Sequence, residues 1–211
     1  MSSRLPLLCC QFDPFSIRAH THSVSADITF RKQTRADYEM LPPGSPRFQL
    51  IDGELHMSPS PDRSHQILQG RLYLILANYL KGNPIGVLFL APFDLFLLET
   101  EVYQPDLLYV CADRKAIVEE HGVEGAPDLA VEIISRTSAK YDRGPKRVAY
   151  LRAGTEELWL VDPAAKTIEV YRRKESPDHP TVVLRAGDHY ACPLFPGLDL
   201  SFDEIFSSFL D

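Results

Sequence analysis

The sequence predicts an α/β (α+β) domain, a mixed β-sheet flanked by helices. Strand-like runs come first, a helix follows and strands return, an order that builds mixed sheet-and-helix layers. The segment GAPDLAVEIIS, 125–135, holds Ala130, Val131, Ile133 and Ile134 in a near-continuous apolar run, as expected of a strand covered on both faces. The segment from 64 to about 81 places Ile67, Leu68, Leu72, Ile75, Leu76, Tyr79 and Leu80 at helical spacing.

Along the chain, residues 1 to about 27 mix Ser, His and Pro without a sustained period. This predicts a poorly packed extension, set at 1–32, before a single domain at 33–211. In TRADYEML, Thr34 stands three residues before Asp37, a capping-box spacing that predicts a short helix ending before Pro42-Pro43-Gly44. Phe48, Leu50, Leu55 and Met57 flank Asp52-Gly53, a dipeptide suited to a tight hairpin turn, with Glu54 opening the return strand. The long helix follows, with Gly82 as its stop. VLFLAP, FDLFLLE and PDLLYV then read as three strands, and an acidic helical piece is expected near 115–120.

After the strand at 128–135, a second helix is expected over about 142–152. Asp142, Lys146 and Tyr150 lie at i, i+4 and i+8, Pro145 is tolerable only in the first turn, and Gly154 closes the helix. LWLVD and TIEVYRR read as a hairpin or sheet edge, and TVVLRAGD as a further strand.

The 211 residues suit one domain, and no apolar run approaches the ~18 residues of a membrane span. A net charge of -7 argues against coating nucleic acid by bulk electrostatics, while leaving room for a local basic groove. Cys9, Cys10, Cys111 and Cys192 show neither zinc spacing nor a disulfide framework. A cytoplasmic location is the default expectation, since the start resembles no secretory leader.

Glu132 sits in the middle of the apolar strand. An isolated buried carboxylate costs several kcal/mol or takes up a proton. It therefore needs a cation from the chain, a metal ion, or a site open to water. Two Pro-Asp pairs, Pro105-Asp106 and Pro127-Asp128, open apolar strands; each alone reads first as a strand or turn cap. If the strands of Asp106 and Glu132 are neighbours, the two acids can meet at one divalent ion. Asp128 shares a strand with Glu132 and lies about 13 Å from it at ~3.3 Å per residue, too far for that purpose.

Asp106, Glu132 and Glu54 resemble the acidic residues of the PD-(D/E)XK nuclease superfamily. More closely, the chain resembles its restriction-endonuclease-like Uma-two family through LIDGELHMSPSPDRSHQ (50–66), QPDLLYV (104–110), GAPDLAVEIIS (125–135), DRGPKRVAYLRAG (142–154) and LWLVDP (158–163). The resemblance implies a restriction-endonuclease-like fold and Mg²⁺- or Mn²⁺-dependent hydrolysis of phosphodiester bonds in DNA. Asp106 and Glu132 would be the metal ligands, with the Ile133 carbonyl a candidate third, and Glu54 an assisting acid. The superfamily lysine, two positions after the second acid, is here replaced by Ile134. Lys146 is the first choice to substitute for it, Lys140 the second.

Several alternatives stay open. Glu132 could form a buried ion pair with Lys146 or Arg147 and bind no metal, and Glu54 could be a solvated turn residue. His65 is a candidate substrate contact or simply a solvent-facing helix residue. Arg63, Arg71, Arg136, Lys140, Arg143, Lys146 and Arg147 are candidates for a basic DNA-facing surface. The competing functions are a catalytically silent binding or assembly module and a phosphoesterase acting on small nucleotides. A homodimer would suit an enzyme that cuts both strands.

Overall fold

Helix α1 (Arg35–Glu39) begins where Thr34 donates its backbone N–H to Asp37 Oδ2 at 2.8 Å, the bond expected of the capping box. In the computed structural model, which describes residues 31–42 and 44–207, this is the first regular element. The expected extension at 1–32 lies outside the described residues except for its last two.

Strands β1 (Phe48–Ile51) and β2 (Glu54–Met57) form the expected hairpin. Asp52 and Gly53 take positive φ values of 51° and 75°, the left-handed pair of a primed turn. Helix α2 (Arg63–Gly82) is capped by Asp62, whose side chain accepts from the His65 backbone N–H, and its C-cap is Asn83, one residue past the expected glycine stop. Leu72 and Leu76 are fully buried on its inner face, each worth about 1.5–3 kcal/mol of burial.

Four strands stand where three were expected: β3 (Gly86–Leu90), β4 (Asp94–Leu98), β5 (Glu101–Tyr103) and β6 (Leu107–Cys111). Strand β5 is too short to show a period, and it folds straight back on β4. The acidic piece near 115–120 is a 3₁₀ turn at Ala112–Ile117, followed by the short strand β7 (Gly122–Glu124). Next come β8 (Leu129–Ile133), a single turn α3 (Ala139–Tyr141), a kinked turn at Asp142–Lys146 and α4 (Arg147–Ala153). Gly154, at φ 118°, ends α4 as expected. The remaining elements are β9 (Glu157–Asp162), β10 (Thr167–Arg172), β11 (Val182–Leu184), β12 (His189–Ala191), β13 (Asp199–Ser201) and α5 (Phe202–Phe206).

The expected α/β class, mixed sheet flanked by helices, is what the chain adopts, with the strands shared among more than one sheet. They divide into a six-stranded sheet, β11-β10-β9-β8-β6-β3, a five-stranded sheet, β2-β1-β5-β4-β7, and a two-stranded pair, β12-β13. The two larger sheets are mixed, with β8–β9 and β4–β7 parallel. Alternation along β8 explains its apolar run. Leu129, Val131 and Ile133 enter a core with α2 and the C-terminal segment, while Ala130 and Ile134 enter a second core with α4 and residues of the five-stranded sheet. The six-stranded sheet is therefore covered on both faces, as the sequence predicts for this strand.

Buried Glu157 ties the C-terminal segment to β9 by accepting from Trp159 Nε1 (2.9 Å), Arg172 Nε (3.1 Å) and Tyr190 Oη (2.9 Å).

Candidate functional site

Strand β6 runs antiparallel to β8 with Leu107 opposite Val131, so Asp106, one residue earlier, falls opposite Glu132. Even-numbered positions of both strands, among them Leu108 and Ala130, face the second core. The two acids therefore share a face, at the spacing of directly opposed residues, about 4.5–5.5 Å between Cβ atoms. Both line a cleft of about 640 Å³ bounded by β2, the start of α2 and the segment after β8.

Each carboxylate has one oxygen engaged by protein donors. Asp106 Oδ2 accepts the Ile133 backbone N–H at 2.6 Å and lies 3.1 Å from His65 Nε2. Glu132 Oε1 is 2.6 Å from Lys146 Nζ and accepts from Tyr150 Oη at 2.6 Å. None of these bonds falls on Asp106 Oδ1 or Glu132 Oε2. Lys146 Nζ also lies 3.2 Å from Asp142 Oδ1 and 5.3 Å from the Tyr103 ring centre.

The helical stripe noted in the sequence, Asp142, Lys146 and Tyr150, thus converges on Glu132. Its delivery depends on a kink between α3 and α4. Gly144 leaves helical geometry (φ -104°, ψ -113°) and Pro145 follows, and Asp142 and Lys146, on either side of this kink, both point inward, where each is only 2% exposed.

Burial pushes the Glu132 carboxyl up to about 7, against the pull of Lys146 and with the repulsion of Asp142 and Asp106 added. Burial pulls Lys146 down, but Glu132 and Asp142 outweigh it and leave the ammonium above its ordinary value. A raised acid and a raised base in one ion pair look contradictory, but the count of charges reconciles them. One ammonium faces two buried carboxylates, so Lys146 stays charged and the acids still lack a positive charge. Burial and the nearby Glu132 likewise raise Tyr150 well above its ordinary value, so it remains a neutral donor. Burial lowers His65, but its bond to Asp106 prevails and the net shift is upward.

The donor set fits a hard divalent cation. One oxygen of each acid is free of these bonds, the two residues line one pocket that is short of positive charge, and Mg²⁺ typically takes one or two protein carboxylates and keeps its waters. Among the described residues, no group of three His, Cys, Asp or Glu side chains could hold an ion unaided. Water, a backbone carbonyl or a substrate oxygen would have to fill the other positions.

Other expected residues are placed differently. Glu54 has a side chain 79% exposed and is absent from the cleft lining, because its position next to the turn carries it past the end of the pocket. The strand neighbour on its own face, His56, lines the cleft instead. Lys140 is exposed and lies over the Tyr141 ring at 4.5 Å, away from the Glu132 cluster. His65 is turned inward, with a side chain 13% exposed, rather than into solvent. Asp128 has a structural role, accepting from the Cys111 N–H and Arg114, each at 2.8 Å.

The expected basic surface is only partly free, since four of its seven residues are engaged within the fold, Lys146 among them at Glu132. Arg143 pairs with Asp162 and Glu169, Arg147 donates to the Arg143 carbonyl and lies over Tyr171, and Arg71 is buried against the Ile205 and Ser207 carbonyls. Arg147 therefore does not serve as the partner of Glu132. Arg63 and Lys140 stay exposed, and Arg136 is exposed at the cleft. The sequence reading missed Arg47, Gln49 and Gln104, which also line the cleft. Nothing local distinguishes them from surface residues until the hairpin folds over the site.

Comparison with known proteins shows the fold and the family of this chain. Among solved structures it is similar to a protein of Anabaena variabilis described as a "putative nuclease belonging to DUF820", with a TM-score of 0.67 and 24% identity over 82% of this chain and 97% of that one. That likeness establishes the fold. The chain belongs to the Uma-two family, Uma2, described as "Putative restriction endonuclease", which it matches over residues 35–203. Among curated proteins none matches it.

Proposed function

We propose that this protein is a metal-dependent endonuclease that hydrolyses phosphodiester bonds in DNA. The observation that carries the reading is the register of β6 on β8, which sets Asp106 opposite Glu132 with Lys146 bonded to the second acid. Family membership and the "putative nuclease" fold neighbour support it. Asp106 Oδ1 and Glu132 Oε2 would hold Mg²⁺ or Mn²⁺. When bound, such an ion lowers the pKa of a water and offsets charge on a phosphate under attack.

The chain's own residues prepare the site. Lys146 and Tyr150 fix the rotamer of Glu132, and Asp142 keeps Lys146 beside it. Lys146 also lines the cleft, where it offsets part of the negative charge that an approaching phosphate would meet. Arg47 and Arg136, both exposed at the cleft, can hold phosphates on the bound strand. Glu54 has no part in this mechanism.

The test is cleavage of duplex DNA with Mn²⁺ by wild type, Asp106→Asn and Glu132→Gln, with folding checked by circular dichroism. Loss of cleavage with the fold retained is expected, and unchanged cleavage in both variants would remove the proposal. A mononucleotide phosphodiester as competitor tests the small-substrate reading.

One observation favours a second reading, a catalytically silent nuclease-fold binding module: Lys146 and Tyr150 already satisfy one oxygen of Glu132 without a metal. DNA binding with neither Mn²⁺ uptake nor cleavage would select it. A homodimer, which would set two clefts against the two strands of a duplex, is tested by sedimentation. The proposed setting is cytoplasmic, and among the described residues no helix is long and apolar enough to cross a membrane.

A further inference from the structure

The residues that hold Asp106 come from an unexpected place. Asp106 precedes β6, yet three of its contacts come from the first turns of α2 and from β8. His65 Nε2 lies 3.1 Å from Oδ2, Gln69 Nε2 donates to the Asp106 main-chain carbonyl at 2.9 Å, and the Ile133 N–H reaches Oδ2 at 2.6 Å. His65 and Gln69 are four residues apart, so they stand one above the other on one helix face. One grips the side chain and the other the backbone of the same residue.

The pair is itself held in place. Asp62 Oδ1 accepts from the His65 backbone N–H at 2.9 Å, fixing the first turn of the helix. Gln66 Nε2 reaches Gln69 Oε1 at 3.3 Å, which orients that amide with its NH₂ toward Asp106. Gln69 is 8% exposed, and the His65 and Asp106 side chains are 13% and 14% exposed.

The His65 ring has one further property. Its Nδ1 is buried and has no hydrogen-bond partner. A buried ring nitrogen left bare is a cost, and the Asp106 bond is the one polar contact the ring makes among the described residues. The ring's placement therefore serves Asp106 rather than its own hydrogen-bonding needs.

We propose that His65 and Gln69 are positioning residues that lock the Asp106 carboxylate with Oδ2 turned to the protein and Oδ1 presented to the cleft. This rests on the metal-dependent reading of the same site and adds a role for α2. Donation from a second group to a ligating carboxylate fixes its orientation, and loss of such a partner typically weakens metal affinity by about 10–100-fold. The His65 ring itself is not a ligand in this arrangement, because its Nε2 is engaged by Oδ2 and its Nδ1 is enclosed.

The test is isothermal titration of Mn²⁺ into wild type, His65→Leu and His65→Gln, with the melting temperature of each recorded. The glutamine amide nitrogen is as many bonds from Cα as His Nε2, so His65→Gln keeps the donor. The expected result is an affinity loss of about 10–100-fold in His65→Leu, largely restored in His65→Gln. Equal affinity in wild type and His65→Leu overturns the proposal, as does an equal loss in both variants.

A second measurement needs no metal: the long-range ¹H–¹⁵N correlation spectrum of the imidazoles in the metal-free protein. A proton on Nε2 of His65 supports the clamp. A neutral ring protonated only at Nδ1 overturns it, because Nε2 would then have nothing to donate. If wild type takes up no Mn²⁺, the metal-dependent reading fails, and the spectrum still decides whether His65 holds Asp106.

Discussion

Replacing Lys146 with Met tests the charge balance of the site most directly. The substitution keeps an unbranched side chain of similar reach and removes the ammonium. Glu132 Oε1 loses a partner at 2.6 Å and Asp142 Oδ1 one at 3.2 Å, and both carboxylates stay at most 5% exposed. Removing one member of a buried ion pair costs about 3–5 kcal/mol. For a domain of this size that lowers the melting temperature by about 6–20 °C.

The pH dependence makes the test stricter. In wild type the folded Glu132 carboxyl titrates at about 7, above its ordinary value of 4.5, so its contribution falls as pH rises through that interval and levels off above it. Without Lys146 the carboxyl titrates higher still, so the variant keeps losing stability above pH 7 where wild type has stopped. The stability gap should therefore widen above pH 7 by up to about 1.4 kcal/mol per pH unit. Urea unfolding at pH 6, 7, 8 and 9 measures it. A cost under about 1 kcal/mol, or a gap that does not change with pH, would refute the assignment of Lys146 as the counter-charge of Glu132.

Three further outcomes are expected. Glu132→Gln, uncharged throughout, should lack the wild-type loss of stability between pH 4.5 and about 7, and parallel unfolding curves for the two proteins across that window would contradict the raised carboxyl. Arg47→Ala and Arg136→Ala should each weaken DNA binding and lower the slope of log affinity against log salt by about 0.9, measured by fluorescence anisotropy; an unchanged slope removes that arginine from the phosphate contacts. Glu157→Ala strands the donors of Trp159, Arg172 and Tyr190, so it should cost about 3–5 kcal/mol while leaving Mn²⁺ affinity at the wild-type level, and a parallel fall in affinity would show that the two sites are linked.

Much of this was legible where the chain is long and periodic. The α2 stripe, the Asp52-Gly53 turn and the Gly154 stop each have a local cause that overrides context. The strands β5, β7, β12 and β13 were missed because each has three residues, too few to show alternation, and their pairing is set by partners distant in sequence. The partition into two large sheets was hidden for the same reason. In the candidate site, Asp106 and Glu132 stand out in the sequence because a carboxylate beside or within an apolar run is conspicuous. Asp142 and Tyr150 were visible as a helix stripe, but their placement depends on a kink at a non-helical glycine between them. Glu54 misled because nearness to the hairpin turn does not determine whether a side chain reaches the pocket.

The position of Ile134 explains how the site keeps a lysine that its strand has lost. Two residues beyond Glu132 and directly after the last residue of β8, it lies on the same side as Glu132, and it is a buried member of the second core with Ala149, Tyr150 and Leu151 of α4. A lysine there would have to displace packing that holds α4 against the sheet. Helix α4 and the turn before it cover that same face, so a side chain from this layer reaches the carboxylate from above instead of from along the strand. Lys146 does so while Ile134 keeps the core apolar. Under this arrangement the kinked turn at Asp142–Lys146, with the non-helical Gly144 inside it, becomes the element on which the counter-charge depends. A cation supplied by the strand would need only the alternation of its own backbone.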